Sequence, residues 1–518
     1  MINTWWVTRP KRKLNSVPEV LATLSEVSLN QEWEGQRDTQ LTLEEALEEA
    51  HLKRRGERRD QTGGGARTYG AWISSLGLVF IQESTRKLKL TLAGEAIMNG
   101  DSPVEILKNQ VLKYQFPSSF SLSRGVNVAP RFRIHPFRFL LKLLMDARIA
   151  YLTEEEIAKV VITQAENETD RCYESVVQKI LLFREAGNAS LEQDFNRRYA
   201  PKTGKVNPDH PYSHLTDTAN TFINWIEFTQ LAVRDGNRSL RVIPEKINEI
   251  TGILNSPSVF IDRPDEHEYF QRKYGLDPKH TKDTRNLLGT RTITASIIAE
   301  QQIKKAFISE SLKSPITRIT VSLVDRIADL TGIDGKFVEE TLCRLFPHGA
   351  IGAFMAEYFE MAFHGRDDAI EFERATTRLF EEVFGFESKH IGSKGLTPDV
   401  LIISDDCGFC GILDNKAYSD YSISNDHHNR MVHNYIEGFA RYCDSRNPLA
   451  FFSYIAGGFC RTIDSQIVRI VEATGVHGSA ISVSSVIKMV ENQQAHPYSH
   501  TGIKDILSLD RQIRLSDL

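Results

Sequence analysis

The sequence predicts a multidomain chain in which α+β winged-helix-type domains precede an α/β domain. Three observations carry that reading. At 518 residues the chain exceeds the roughly 250 to 300 residues at which one hydrophobic core stops growing. Its first half places two short alternating runs around a polar turn, with helical patterns on either side, and does so twice. Its last third alternates short β-branched apolar runs with amphipathic stretches, the order expected of a sheet flanked by helices.

The elements follow in order. The N-terminus, Trp5-Trp6-Val7 with Arg9, Lys11, Arg12 and Lys13, lacks the apolar core of a signal peptide. Lys53, Arg54, Arg55, Arg58 and Arg59 run into Thr62-Gly63-Gly64-Gly65-Ala66-Arg67. This reads as a basic loop able to follow a DNA backbone, or as a solvated helix end and linker. No Gly-Lys-Ser or Gly-Lys-Thr completes a phosphate-binding loop there. Residues 68–79 read as a helix and turn, and residues 80–82 and 87–90 as strands about a turn at 83–86. Thr91 caps a following helix. Arg86, Lys87 and Lys89 stand on or beside that hairpin, which resembles the wing of a winged helix. Arg131 and Arg133 alternate with Phe132 and Ile134, as on a strand with one basic face suited to guanine edges or phosphates. Pairing with acids across a domain contact fits the same residues.

Residues 136–162 read as two helices broken at Tyr151-Leu152-Thr153, and residues 216–254 repeat the helix, hairpin and helix order. Such units commonly place one helix in the major groove of DNA, and they also serve as protein contacts. Residues 266–343 read as a polar helical linker. The expected domains are therefore 1–130 and 131–265 for recognition, 266–343 as spacer, and 344–518 as the α/β domain.

Net charge is −5, yet residues 51–142 hold 16 Lys and Arg against 6 Asp and Glu, a local balance of +10. Phosphate binding needs cations gathered on one surface, not a basic total. Apolar content of 41% and charged content of 25% are ordinary for globular proteins. No apolar run is long enough to span a membrane. Six cysteines spread through the chain make no disulfide framework. Cys407 and Cys410 have a suggestive spacing, but only His427 and His428 lie near enough to complete a zinc set of four, so no zinc site is expected.

The chemistry lies in Thr397-Pro398-Asp399-Val400-Leu401-Ile402, followed fifteen residues after the aspartate by Asp414-Asn415-Lys416. Both pieces adjoin short apolar runs, as in neighbouring strands of a hairpin. Side-by-side strands would bring Asp399 and Asp414 together. Two carboxylates beside a phosphodiester suit Mg²⁺, a hard cation that keeps several waters. Lys416, two residues after Asp414, shares its face on a strand of period two, where an ammonium neutralises transition-state charge.

The segment around this motif resembles the cleavage domain of FokI-type type IIS restriction endonucleases. The residues that carry the resemblance are Glu371-Phe372-Glu373 through Phe380, Val383-Phe384-Gly385-Phe386, Lys389-His390-Ile391-Gly392, Pro398-Asp399 and Asp414-Asn415-Lys416-Ala417-Tyr418-Ser419. The resemblance implies an α/β PD-(D/E)xK restriction-endonuclease-like nuclease domain. Asp399 and Asp414 would be its metal ligands, and Lys416 would stand beside the attacking water. Glu373 would match an acidic position that supplies a further metal or water contact, although alone it reads equally as an ordinary helix carboxylate. Trp5-Trp6-Val7, Arg9-Pro10, Thr68-Tyr69-Gly70, Leu90-Thr91-Leu92-Ala93-Gly94 and Lys113-Tyr114-Gln115-Phe116-Pro117-Ser118 look like the recognition half of AlwI-like enzymes.

Together these resemblances imply a bacterial cytoplasmic type IIS restriction endonuclease. It would bind double-stranded DNA at a short asymmetric site and use Mg²⁺ to hydrolyse phosphodiesters a short distance away. The alternatives are a strand-specific nicking endonuclease, one subunit of a heterodimer, or a winged-helix DNA-binding protein with an inactive nuclease fold. One departure stands out. Where the FokI-type domain pairs an acid with an arginine across its dimer, this chain has Arg430 and Asn434. Cutting both strands would then need a transient homodimer on DNA or a second nuclease subunit.

Overall fold

The computed structural model describes residues 2–54, 63–118, 128–200, 212–235, 238–287, 295–363, 369–392 and 396–518. The chain gathers into two compact units. One comprises Met1–Glu310 with Ile319–Pro347, the other Ser311–Arg318 with His348–Leu518. Among the described residues no helix is long and apolar enough to cross a membrane.

In the first unit the helix, hairpin and helix order occurs twice. Helix α1 (Gly64–Ser75) leads to β1 (Val79–Ile81) and β2 (Leu88–Leu90), then to α2 (Leu92–Met98). The two strands are antiparallel, with Val79 opposite Leu90. Thr91 caps α2 by accepting from the Gly94 N–H at 3.1 Å, which satisfies one of the free donors at the helix start. The expected start of the first helix near residue 68 is too late, because Gly64 and Gly65 already lie within α1. The second copy is α3 (Ser213–Phe228), β3 (Ala232–Arg234), β4 (Leu240–Val242) and α4 (Ile247–Asn255).

The three segments expected before residue 343 share one core. Trp5 is fully buried and donates through Nε1 to the Ala165 carbonyl at 2.7 Å. Its ring lies 6.2 Å from that of Phe139 and 5.4 Å from that of Phe222. The first residues of the chain thus pack inside the region expected to begin at residue 131. The expected spacer does not stand apart either. Phe270 and Tyr274, on the helix His267–Tyr274, are almost wholly buried. The Tyr274 hydroxyl donates to the Gln110 carbonyl at 2.9 Å, and Gln271 Nε2 donates to the Ser74 carbonyl at 2.6 Å. Two large aromatics on one helical face favour burial by several kcal/mol, so a helix that reads as polar overall still docks.

The second unit is built on a six-stranded mixed sheet in the order β10-β9-β8-β7-β6-β5. Helices α5 (Ile351–Met361) and α6 (Ala369–Glu382) precede β5 (Glu387–His390), β6 (Val400–Ser404) and β7 (Phe409–Asn415). These three strands are antiparallel neighbours. β8 (Leu449–Ala456), α7 (Ile463–Thr474), β9 (His477–Ser482), α8 (Val483–Ala495), α9 (His500–Leu507) and β10 (Arg511–Gln512) follow. From β7 onward the pairings are parallel, which requires helical crossovers over the sheet faces. Every residue of β6 and β7 is buried, as expected of strands covered on both sides. On one face Leu401, Ile403, Cys410 and Ile412 pack against Met431, Tyr435, Ile463 and Ile467. After β7 the chain forms a helix over Asn425–Asn429 that widens into a π turn over Arg430–Ile436, followed by a short 3-10 turn at Phe439–Arg441.

Candidate active site

The register of β6 and β7 builds the site. Val400 pairs with Leu413 and Leu401 with Ile412, so Asp399 and Asp414 stand opposite one another where the hairpin strands run out. Side chains alternate across a strand, which puts Asp414 on the face of Cys410 and Ile412. Asn415 falls on the opposite face. Lys416 returns to the Asp414 side, and its Nζ lies 2.5 Å from Asp414 Oδ2 and 4.0 Å from Asp399 Oδ2. The three residues paired by their spacing in the sequence therefore meet in space.

The electrostatics are those of two carboxylates sharing one ammonium. Burial, and next the charge of Asp414, push the Asp399 carboxyl well above the usual carboxylate range, while Lys416 pulls the other way. Burial alone would lower the Lys416 ammonium, but Asp414 and Asp399 outweigh it and raise its pKa. Asp399 Oδ2 accepts the Asn415 N–H at 2.6 Å. Asp414 is 2% exposed, and its Oδ1 is buried with no hydrogen-bond partner. A buried carboxylate oxygen without a partner is costly, and a hard cation satisfies it. The donor set thus fits Mg²⁺ held through two carboxylates and water.

Glu373, on α6, lies beside this pair without joining it. Its Oε2 is 2.8 Å from His390 Nε2. Among the described residues no three His, Cys, Asp or Glu side chains gather into a metal cage. Gly392 explains how close the groups come. A Cβ there would lie 2.8 Å from Glu373 Oε2 and 3.1 Å from Asp399 Oδ1, so only glycine leaves both oxygens in place. His390 had no signal in the sequence beyond its place in the Lys389-His390-Ile391-Gly392 string. Cys407 is exposed and Cys410 buried beside Cys443, with all three thiols free. His427 Nδ1 lies 2.8 Å from the Tyr421 hydroxyl.

The candidate DNA-binding residues fall into three groups. Arg55, Arg58 and Arg59 lie outside the described residues. Others are tied to the protein. Lys53 Nζ lies 2.9 Å from Glu44 and 2.6 Å from Glu48, and Arg86 pairs with Glu34. Arg67 donates to Gln40 at 3.0 Å and Lys89 to Asn30 at 2.7 Å. Arg131 binds Glu166 at 2.9 Å and the Asn3 carbonyl at 2.9 Å. Only Arg133 and Ile134 form bridges, to Asn167 and Phe116, instead of the expected basic strand, while Arg131 turns to the Glu166 carboxylate. Arg54 and Arg133 are exposed and Lys87 half-buried, with the Arg133 guanidinium 4.9 Å over the Phe260 ring.

Comparison with known proteins bears on the whole arrangement. Residues 332–514 match the family described as FokI, cleavage domain, and residues 74–340 that described as AlwI restriction endonuclease. The type II restriction enzyme StsI of Streptococcus sanguinis is 26% identical over 145 residues, covering 26% of this chain and 24% of that enzyme. The match therefore spans about a quarter of that relative's length. Restriction endonuclease FokI aligns over 99% of this chain and 100% of its own, at 14% identity and a TM-score of 0.29. The BpuJ1 endonuclease binding domain, solved with modified DNA, aligns over 52% of this chain and 96% of its own, at 18% identity and a TM-score of 0.37. With the AlwI match covering more than half of its residues and the FokI cleavage match covering its carboxylate-bearing sheet, the chain belongs to the AlwI restriction endonuclease family.

Proposed function

We propose that the protein is a type IIS restriction endonuclease that binds a short asymmetric site in double-stranded DNA and hydrolyses phosphodiesters a short distance outside it. The observation that carries this reading is the buried, partnerless Oδ1 of Asp414 beside Asp399 and Lys416. Asp399 and Asp414 would hold Mg²⁺, which when bound lowers the pKa of a coordinated water and stabilises charge on the scissile phosphate. Lys416, with its ammonium raised by both carboxylates, stays charged through the neutral range. It can therefore hold the attacking water and offset charge gathering on the phosphate. The Asn415 N–H fixes one oxygen of Asp399, so the carboxylate pair is oriented before substrate arrives.

Recognition is assigned to the first unit, with the β1–β2 hairpin acting as a wing and Arg54, Lys87 and Arg133 the cations best placed for phosphate contact. A complete carboxylate and lysine set argues against an inactive nuclease fold, since two buried acids and an ammonium are costly to keep without use. A nicking enzyme, or a chain that works with a second nuclease subunit, is favoured by one observation. Arg430 is paired with Asp426 at 2.8 Å within its own helix, so the charge that would face a partner is already engaged. Incubating the purified chain with plasmid and Mg²⁺, then sequencing the ends by run-off, tests the reading. Ends at a constant offset from one short sequence are expected. Intact plasmid would overturn the proposal, and breaks on a single strand would favour the nicking form.

A further inference from the structure

The face of β7 opposite Asp414 carries a buried polar chain with no counterpart in the catalytic set. Asn415 Nδ2 donates to Thr376 Oγ1 at 2.6 Å. Thr376 spends its one hydroxyl proton on the Phe372 carbonyl at 3.0 Å. Its oxygen must then accept from the Tyr358 hydroxyl, 2.9 Å away. Tyr358 and Thr376 are wholly buried and Asn415 is 8% exposed. Buried hydrogen bonds linked in this way depend on one another. The chain joins three elements, since Tyr358 is on α5, Thr376 on α6 and Asn415 at the end of β7.

Its position matters more than its burial. Asn415 lies between Asp414 and Lys416, and its backbone N–H holds Asp399 Oδ2 at 2.6 Å. The same residue thus grips a candidate ligand with its main chain and anchors to α6 with its side chain. Glu373 precedes Thr376 by one helical turn on α6. Its Oε2 and Asp399 Oδ1 both lie close to Gly392, 2.8 and 3.1 Å from where a Cβ would stand. Sliding α6 against β7 would therefore shift Asn415, Asp399 and Glu373 together.

We propose that Thr376 and the Asn415 carboxamide are positioning residues that set the Asp399 and Asp414 carboxylates in register for a divalent cation. This inference rests on the reading that those two carboxylates bind the metal. Groups hydrogen-bonded directly to a metal ligand typically change metal affinity about 10- to 100-fold when lost. The Asn415 N–H is such a group, and the carboxamide and Thr376 act through it, one bond further out.

The test measures Mn²⁺ binding to the full chain by the electron spin resonance of the free ion, without DNA and without turnover. Thr376→Val keeps the side-chain volume and deletes the oxygen. It should weaken Mn²⁺ by up to about 10-fold, the low end of the range for groups that touch a ligand directly, and Thr376→Ser should restore binding. Asn415→Ala, which keeps the N–H to Asp399, should weaken it in the same direction. If Thr376→Val melts below the assay temperature, Asn415→Ala decides the question. Folded variants that bind Mn²⁺ like the wild type would overturn the inference. A wild-type chain with no Mn²⁺ site sensitive to Asp399→Asn and Asp414→Asn would instead overturn the metal assignment itself, so the two failures are distinguishable.

Discussion

Replacing Asp399 by asparagine should raise stability and remove cleavage in one step. The wild-type carboxylate lies 4.0 Å from the Lys416 ammonium, a gross attraction of about 4 kcal/mol at an effective dielectric near 20. Burial and the like charge of Asp414 nonetheless outweigh it, because the carboxyl is shifted up and not down. Each unit of upward shift is about 1.4 kcal/mol against the ionised form. The sign follows from linkage. A folded-state pKa above the unfolded value means that stability falls as pH rises from the ordinary carboxylate range through the raised value. Above it the wild type carries the whole penalty, and the asparagine variant none. The substitution keeps the volume, and the asparagine oxygen still accepts the Asn415 N–H. Lys416 retains Asp414 at 2.5 Å. A net gain of about 1 to 2 kcal/mol is expected at pH 8 in EDTA, roughly 2 to 8 °C in the melting of the second unit. The gain should shrink toward pH 4. Cleavage with Mg²⁺ should fall by more than the roughly 100-fold typical of an outer-shell loss. Calorimetry in EDTA and plasmid cleavage on gels read the two effects. A variant that melts below the wild type at pH 8, or that cuts at its rate, would refute the reasoning.

Three further outcomes follow from the same geometry. Because the Asp399 carboxyl is raised and metal binds its ionised form, Mg²⁺ affinity should increase with pH and binding should release protons. Titration calorimetry near pH 6 in two buffers of different ionisation enthalpy should give different heats, and identical heats would contradict the shift. Gly392→Ala forces a Cβ to within 2.8 Å of Glu373 Oε2 and 3.1 Å of Asp399 Oδ1, so cleavage should drop at least ~10-fold with DNA affinity retained. Wild-type cleavage would mean that these oxygens need not hold their places. With Arg430 engaged by Asp426, the free chain should sediment as a monomer, since a small contact cannot offset several kcal/mol of lost translational and rotational freedom. Plasmid linearisation should then rise faster than linearly with enzyme, whereas a tight dimer in solution would rule this out.

The carboxylate site was legible in the sequence because its geometry is local. Two short apolar runs fix a hairpin, the hairpin fixes the register, and period two then puts Asp399, Asp414 and Lys416 on one side. Helix, hairpin and helix in the first unit were legible for the same reason, Thr91 and its neighbours carrying their own cap and turn. Tertiary structure alone decided which cations remain available. Arg86 and Arg131 sit in basic stretches, yet each meets an acid from elsewhere, Glu34 and Glu166. Local composition cannot reveal such partners, because an ion pair depends on where distant backbone brings the acid. Burial of the expected spacer was equally hidden, as Phe270 and Tyr274 matter only once the Gln110 carbonyl and its surroundings are there to receive them. The Asn415–Thr376 bond lies at the same limit. Its partners are 39 residues apart, and only the packing of α6 on β7 turns an unremarkable residue between Asp414 and Lys416 into a tie between a helix and the candidate metal site.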